Sequence, residues 1–441
     1  MTQTAVPTTP STVPRYKQWR IQIFAITWIA YAGFYFTRQA FSVAKLGILE
    51  DPILSISLTK STLANLDAAY LTAYAAGQFV WGQVSDRFGP RVVILGGLAI
   101  SAIATVFMGL LPALVFLLPL MIVQGLAQST GWSGTLSNMA QFFSIGERGR
   151  VLGLWSTNYA FGGLVAAPIL GWAAYDVFGT WRAAFFSGAA VVAVVFVLVL
   201  LFQRNRPQDV GLPPIEEYHA KEDMAQLDHS PEDEAVAEPA PSWRESLKVV
   251  LSDRMVRTLG ASYFLLKPAR YAILLWGPVI VAERLVDGDK FQAVTIPVAF
   301  GIAGVVAPIL LGRISDRVFS ARRVPACVIS LGILVAVLAL FGPLTATGSP
   351  WVMVAVLGLI GVSIYGADAM ISCVAAVDFG TSKHAGTAAG FINCCGSVGA
   401  ILGGLLPGYL NTSTLFYGFA VAAFLAMLLL IPHWNRMPAA D

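Results

Sequence analysis

Two short stretches put cations where an apolar sequence should have none. Tyr31-Ala-Gly-Phe-Tyr35-Phe-Thr-Arg38 and Lys267-Pro-Ala-Arg270-Tyr271 each lie inside a run that otherwise reads as a membrane-spanning helix. An arginine at that depth costs at least ~2.5–3.5 kcal/mol on insertion scales, so it normally faces a cavity and marks a functional site. Its guanidinium presents a planar fork of parallel N–H donors, which a phosphate accepts in bidentate fashion. Two such residues, each early in its own half of the chain, predict one anion held between the halves. Arg38 and Arg270 are therefore expected to clamp a phosphate.

The neighbours of these cations extend the site. Tyr31, Tyr35 and Arg38 are spaced by four and three and share one helix face. In the second span Asp67, Tyr70, Tyr74, Gln78 and Trp81 keep the same spacing, a polar and aromatic stripe suited to a cavity wall. Lys267 stacks one turn before Arg270 in the seventh span, with Pro268 between them favouring a kink. Asn158 and Tyr159 in the fifth span, Tyr365 and Asp368 in the tenth, and Asn393 in the eleventh complete the candidate set. Tyrosine hydroxyls supply neutral donors that can change partner. Other roles stay open at this stage. Arg38 could snorkel to an interface, Tyr31 and Tyr74 could belong to an interfacial aromatic belt, and Arg270 could serve a structural ion pair. Lys267 could pair with Asp67 or Asp368, and either carboxylate could carry a proton.

What must position these residues is a membrane protein. Of 441 residues, 56% are hydrophobic and only 12% charged, about half the charged fraction of a soluble domain, and mean hydropathy is +0.70. A net charge of +3 scattered over loops gives no footprint for nucleic acid. Cys327, Cys373, Cys394 and Cys395 lie in apolar segments without metal-ligand spacing, and no nucleophile–base pair is evident. Neither an enzyme nor a metal or cofactor site is expected. Met1 to Pro14 lacks a signal-peptide pattern.

Apolar runs of about 20 residues place spans at 21–41, 62–84, 92–110, 114–138, 151–173 and 183–203. A second six follow at 257–281, 293–312, 325–345, 351–374, 386–409 and 413–432. The expected organisation is an all-α fold of about twelve transmembrane helices: a tail (1–20), a six-helix half (21–203), an acidic linker (204–253), a second half (254–432) and a tail (433–441). Lys and Arg counts set the orientation. Arg15, Lys17, Arg20, Arg87, Arg91, Arg148, Arg150, Arg313, Arg317, Arg322, Arg323, Lys383 and Arg436 fall on one side, with the linker. Only Lys45, Lys60, Arg182, Arg284 and Lys290 fall in the opposite loops. Both termini are expected in the cytoplasm.

The halves repeat a loop. Gly82-Gln-Val-Ser-Asp86-Arg87-Phe-Gly89-Pro-Arg91 follows the second span, and Gly312-Arg-Ile-Ser-Asp316-Arg317 follows the eighth. This resembles the loop signature of the major facilitator superfamily, and Asp86, Arg87, Arg91, Asp316 and Arg317 are expected to gate conformational change. Within it, the chain resembles the organophosphate:phosphate antiporter family. Tyr31 to Phe41 is similar to that family's first helix, and Ala73 to Arg91 to its second helix and loop. Gly211-Leu-Pro-Pro-Ile-Glu-Glu-Tyr218 resembles a linker segment of its glycerol-phosphate branch. Ala385-Gly-Thr-Ala-Ala-Gly-Phe391 opens the eleventh helix in the same way, and Arg270-Tyr271 with Trp276-Gly-Pro278 resembles its second arginine and trailing Trp-x-Pro.

The resemblance implies two pseudo-symmetric halves that rock about a phosphate clamp formed by Arg38 and Arg270, ringed by Tyr31, Tyr35, Tyr74 and Tyr365. It implies exchange of a phosphorylated metabolite for inorganic phosphate in a bacterial inner membrane; a monomer is expected, with no partner beyond substrate and lipid. The chain also departs from that pattern. Gln78 stands where glycerol-phosphate relatives place a lysine, Tyr159 where they place a histidine, and Lys267 and Asp368 are additions. Two other functions are carried alongside: a proton-coupled symporter of a carboxylate or phosphonate, using Asp67 or Asp368, and a membrane sensor of sugar phosphate.

Overall fold

The computed structural model describes residues 12–143, 151–152, 154–215, 251–286, 288–319, 322–371 and 385–435. The expected acidic stretch at 216–250, Cys373, and the loop cations Arg148, Arg150, Lys383 and Arg436 lie outside these residues, as do the side chains of Asp86 and Asp316. Among the described residues there are twelve long helices. The first half holds α1 (Thr12–Glu50), α2 (Lys60–Phe88), α3 (Pro90–Leu110), α4 (Leu114–Phe142), α5 (Thr157–Gly171) and α6 (Arg182–Phe202). The second holds α7 (Arg254–Ala282), α8 (Val298–Val318), α9 (Arg323–Ala339), α10 (Pro350–Ala369), α11 (Ala385–Leu405) and α12 (Thr412–Leu430). The protein is an all-α membrane protein.

Local chemistry sets several ends. Gly89, at φ +86°, terminates α2, and Pro90 opens α3 at once, since glycine alone enters that backbone region freely and proline suits a first helical turn. The side chains of Thr59, Asp253 and Asn411 accept from backbone N–H groups of Thr62, Met255 and Thr414, capping α2, α7 and α12. Nine helices among the described residues are apolar and long enough to cross a membrane. Neither α1 nor α2 is among them despite lengths of 39 and 29 residues, because both carry the polar stripes read from the sequence.

Packing repeats between halves. Helix α1 packs on α5 and α6, α2 on α4, and α3 on α4 and α6. Likewise α7 packs on α11 and α12, α8 on α10, and α9 on α10 and α12. The halves meet through a second matched set, α2 with α11 and α8 with α5, plus α1 with α7.

One end of this interface is sealed. Lys60 pairs with Glu283 and Lys290 with Glu50, both at 2.5 Å, and the Tyr409 hydroxyl donates to Asn65 Oδ1 at 2.9 Å. Deeper in, Ser42 Oγ and Lys45 Nζ both donate to the Leu275 carbonyl, at 2.8 and 2.9 Å. Lys45 is not in the loop expected beyond the first span: α1 continues to Glu50, and Lys45 is fully buried, paired with Asp67 at 2.5 Å and packed over the Trp276 ring. A cation with a carboxylate partner one helix away does not end a span.

Removing one member of a buried pair leaves an uncompensated charge, at a cost of about 3–5 kcal/mol, whereas replacing both by apolar groups can be nearly neutral. Lys45→Met should therefore lower the thermal unfolding temperature of the detergent-solubilised protein clearly. The double substitution Lys45→Met, Asp67→Leu should recover most of the loss.

Candidate functional site

Between the halves lies a cavity of about 370 Å³, within the range of small-molecule sites. It runs from the two arginines away from the sealed end, toward Gln78, Ser156 and Asn393.

Arg38 enters from α1. Its Nε donates to Gln128 Oε1 at 3.0 Å, and that same oxygen accepts the Tyr70 hydroxyl at 2.6 Å. Gln128 is itself fixed through its amide nitrogen, which donates to Thr37 at 3.1 Å. The guanidinium lies over the rings of Tyr35 and Tyr74, at 4.6 and 4.9 Å, faces whose quadrupole attracts a cation. Its Nη2 is buried without a hydrogen-bond partner.

Arg270 enters from α7. Its Nη1 donates to Asp368 Oδ2 at 2.9 Å, and Lys267 Nζ lies 3.3 Å from the other oxygen, Oδ1. Of the partners open to Lys267 from sequence, Asp368 is the one the fold brings to it, and Asp67 is taken by Lys45. Arg270 lies over Tyr365 at 4.5 Å and Tyr159 at 5.8 Å. Its Nε is buried without a hydrogen-bond partner.

Close helix approaches give the register between halves. A Cβ on Gly162 would meet the Ala32 carbonyl, and one on Gly399 the Phe264 carbonyl. Ala32 precedes Arg38 by six residues, as Phe264 precedes Arg270, so the two arginines occupy equivalent places. Similarly, Gly125 meets the Tyr70 carbonyl and Gly361 the Phe300 carbonyl. That register makes Tyr74 the counterpart of Gly304, over which the Tyr365 ring lies. The phenol that α2 contributes in one half comes from α10 in the other. It also makes Trp132 the counterpart of Asp368. One wall of the cavity is thus aromatic where the other is charged.

Residues 27–403 match the Major Facilitator Superfamily. The chain belongs to that superfamily. Within it, the chain falls in the organophosphate:phosphate antiporter family, as its relatives indicate. It is 32% identical to the glycerol-3-phosphate transporter of Bacillus subtilis, covering 97% of this chain and 95% of that protein. It is 30% identical to the probable hexose phosphate transport protein of Chlamydia trachomatis, over 96% and 92% of the two chains. Identity is also 30% to the membrane sensor protein UhpC of Escherichia coli, over 96% and 93%. Its fold is similar to the crystal structure of a bacterial homologue of the human lysosomal transporter Spinster, solved in an inward-facing and unoccupied conformation. That similarity has a TM-score of 0.70 and 14% identity, covering 95% of this chain and 96% of the other.

In this major facilitator the cavity brings together ten residues expected from sequence: Tyr31, Tyr35, Arg38, Tyr74, Gln78, Tyr159, Lys267, Arg270, Asp368 and Asn393. Tyr365 borders a smaller adjoining cavity with Arg270. Asp67 stands apart, buried with Lys45 near the sealed end. Asn158 is fully buried on α5 and does not border the cavity. Arg87 and Arg317 are exposed at the ends of α2 and α8, while Arg91 Nη2 donates to the Leu200 carbonyl at the end of α6. Sequence reading missed Gln128 and Trp132. The signal was present as Gln124, Gln128 and Trp132, spaced by four on one face of an apolar helix.

Asp368 competes with any anion for Arg270 and Lys267. If the cavity takes inorganic phosphate, Asp368→Asn should tighten its binding by roughly ten-fold, the worth of one charge-assisted hydrogen bond, as read by calorimetry on purified protein. An unchanged affinity would mean that the carboxylate does not compete with the ligand.

Proposed function

We propose that this chain is a secondary transporter that exchanges a phosphorylated metabolite for inorganic phosphate, with Arg38 and Arg270 clamping the phosphoryl group. The observation that carries this reading is the pair itself. Two arginines at equivalent places in the two halves border one cavity, and each keeps a buried N–H without a partner. A dianion between them supplies both missing acceptors and relieves the repulsion of like charges, which is strong in a low-dielectric site. The relatives named for glycerol-3-phosphate and hexose phosphate support the same ligand class.

The layout supports a reading of alternating access. With both termini in the cytoplasm of a bacterial inner membrane, the sealed end faces outward and the cavity opens inward. Each ligand, binding both halves, favours the closed intermediate that an empty and self-repelling site disfavours. The loops carrying Asp86, Arg87, Arg91, Asp316 and Arg317 act as hinges at the cytoplasmic face, and the protein works as a monomer. Proton coupling is the weaker reading, since Asp67 and Asp368 each have cation partners rather than standing alone.

Proteoliposomes preloaded with phosphate should take up labelled glycerol 3-phosphate or glucose 6-phosphate, and empty ones should not. Uptake that follows an imposed pH gradient but ignores internal phosphate would favour symport instead. Arg38→Lys and Arg270→Lys should each lower exchange at least about ten-fold, because lysine lacks the bidentate fork. Near-normal exchange by either would remove that residue from the clamp.

A further inference from the structure

On the sealed side of Arg270 lies a second cavity, of about 50 Å³, between α1, α5, α7 and α8. Tyr35, Tyr159 and Arg270 border it and the large cavity alike, so the two spaces meet at the clamp. Away from those residues and Tyr365 its wall is apolar, with one exception. Gln39 lies one turn beyond Tyr35 on α1, is 3% exposed, and makes no side-chain hydrogen bond among the described residues. Its amide borders the same small cavity as Arg270, whose Nε is buried without a hydrogen-bond partner, and a polar group without a partner in an apolar wall favours a polar ligand.

We propose that this small cavity is a subsite for the carbon chain esterified to the phosphate, and that Gln39 hydrogen-bonds a hydroxyl of that chain. The inference rests on the phosphate-exchange reading of Arg38 and Arg270. An amide both donates and accepts, as a hydroxyl does. A wholly apolar chain would leave Gln39 unpaired. The space holds about four water-sized groups, enough for a short hydroxylated chain and too small for a sugar ring, which would have to remain in the large cavity. Inorganic phosphate has no such chain and leaves the subsite to water. Gln39 then sets the preference between the two exchanged ligands, and the arginines serve both.

The test compares Michaelis constants in proteoliposomes for glycerol 3-phosphate, propyl phosphate and inorganic phosphate. Wild type should favour glycerol 3-phosphate over propyl phosphate, which has the chain without hydroxyls, by roughly ten-fold. Gln39→Leu should erase that preference and raise the glycerol 3-phosphate to phosphate ratio of Michaelis constants by a similar factor. Gly163→Ala provides a second variant. Its Cβ would sit 3.6 Å from the Tyr35 ring, an ordinary contact that α5 tolerates while the subsite shrinks, so this ratio should rise as well. Equal Michaelis constants for the two esters in wild type, or ratios unmoved in both variants, would overturn the subsite while leaving the clamp intact. Absence of any phosphate exchange by wild type would overturn the clamp and the subsite together.

Discussion

A cation buried in a membrane protein needs compensation that water is not there to give, and the interior is arranged around meeting that need in three ways. Lys45 has a dedicated carboxylate, Asp67, and a carbonyl from the opposite half. Arg270 and Lys267 share a single carboxylate, Asp368. Arg38 has no carboxylate in contact among the described residues and relies on one amide oxygen and two aromatic faces. Compensation is fullest where the halves are sealed together and leanest where the cavity lies. An anion would supply the acceptors that the cavity lacks.

The same comparison shows that the two halves are related without being redundant. Equivalent arginines sit in equivalent helices, and each lies against phenol rings, yet the helices that supply those rings differ and the corresponding positions 132 and 368 hold Trp132 and Asp368. Symmetry in the backbone supplies two cations at matched depth. Asymmetry in the side chains gives the cavity two different walls: on one Arg38 stands among aromatic rings, on the other Arg270 stands with Lys267 and Asp368.

Much of this was legible in the sequence, for reasons that residues make plain. Apolar runs, the repeated Asp-Arg loop and cations inside spans are all local signals, and they pointed to the helices and to ten residues that border the cavity. Failures came where the meaning of a residue depended on a distant partner. Lys45 looked like a loop residue because its charge is visible and its compensation by Asp67, on another helix, is not. Whether Lys267 chose Asp67 or Asp368 could not be decided without knowing that Lys45 had already claimed the first. Gln128 and Gln39 carry no charge, and an uncharged amide in an apolar helix announces itself only once its neighbours are known. Asn158 beside Tyr159 seemed equally suited to the cavity, but adjacent residues on a helix point about 100° apart, and only one of the two reaches it.

The start of α1 has a mechanical side. The helix is 39 residues long, about 58 Å at 1.5 Å per residue. Its first turns are fastened to the beginning of the linker: Arg15 donates to the Val210 carbonyl at 3.0 Å, and Tyr16 is buried under Leu212 and Ile215. The chain leaving the first half therefore grips the far end of the rod that carries Arg38. Any pull along residues 210–215 would load that rod first, through Arg15 and Tyr16, ahead of the rest of the half.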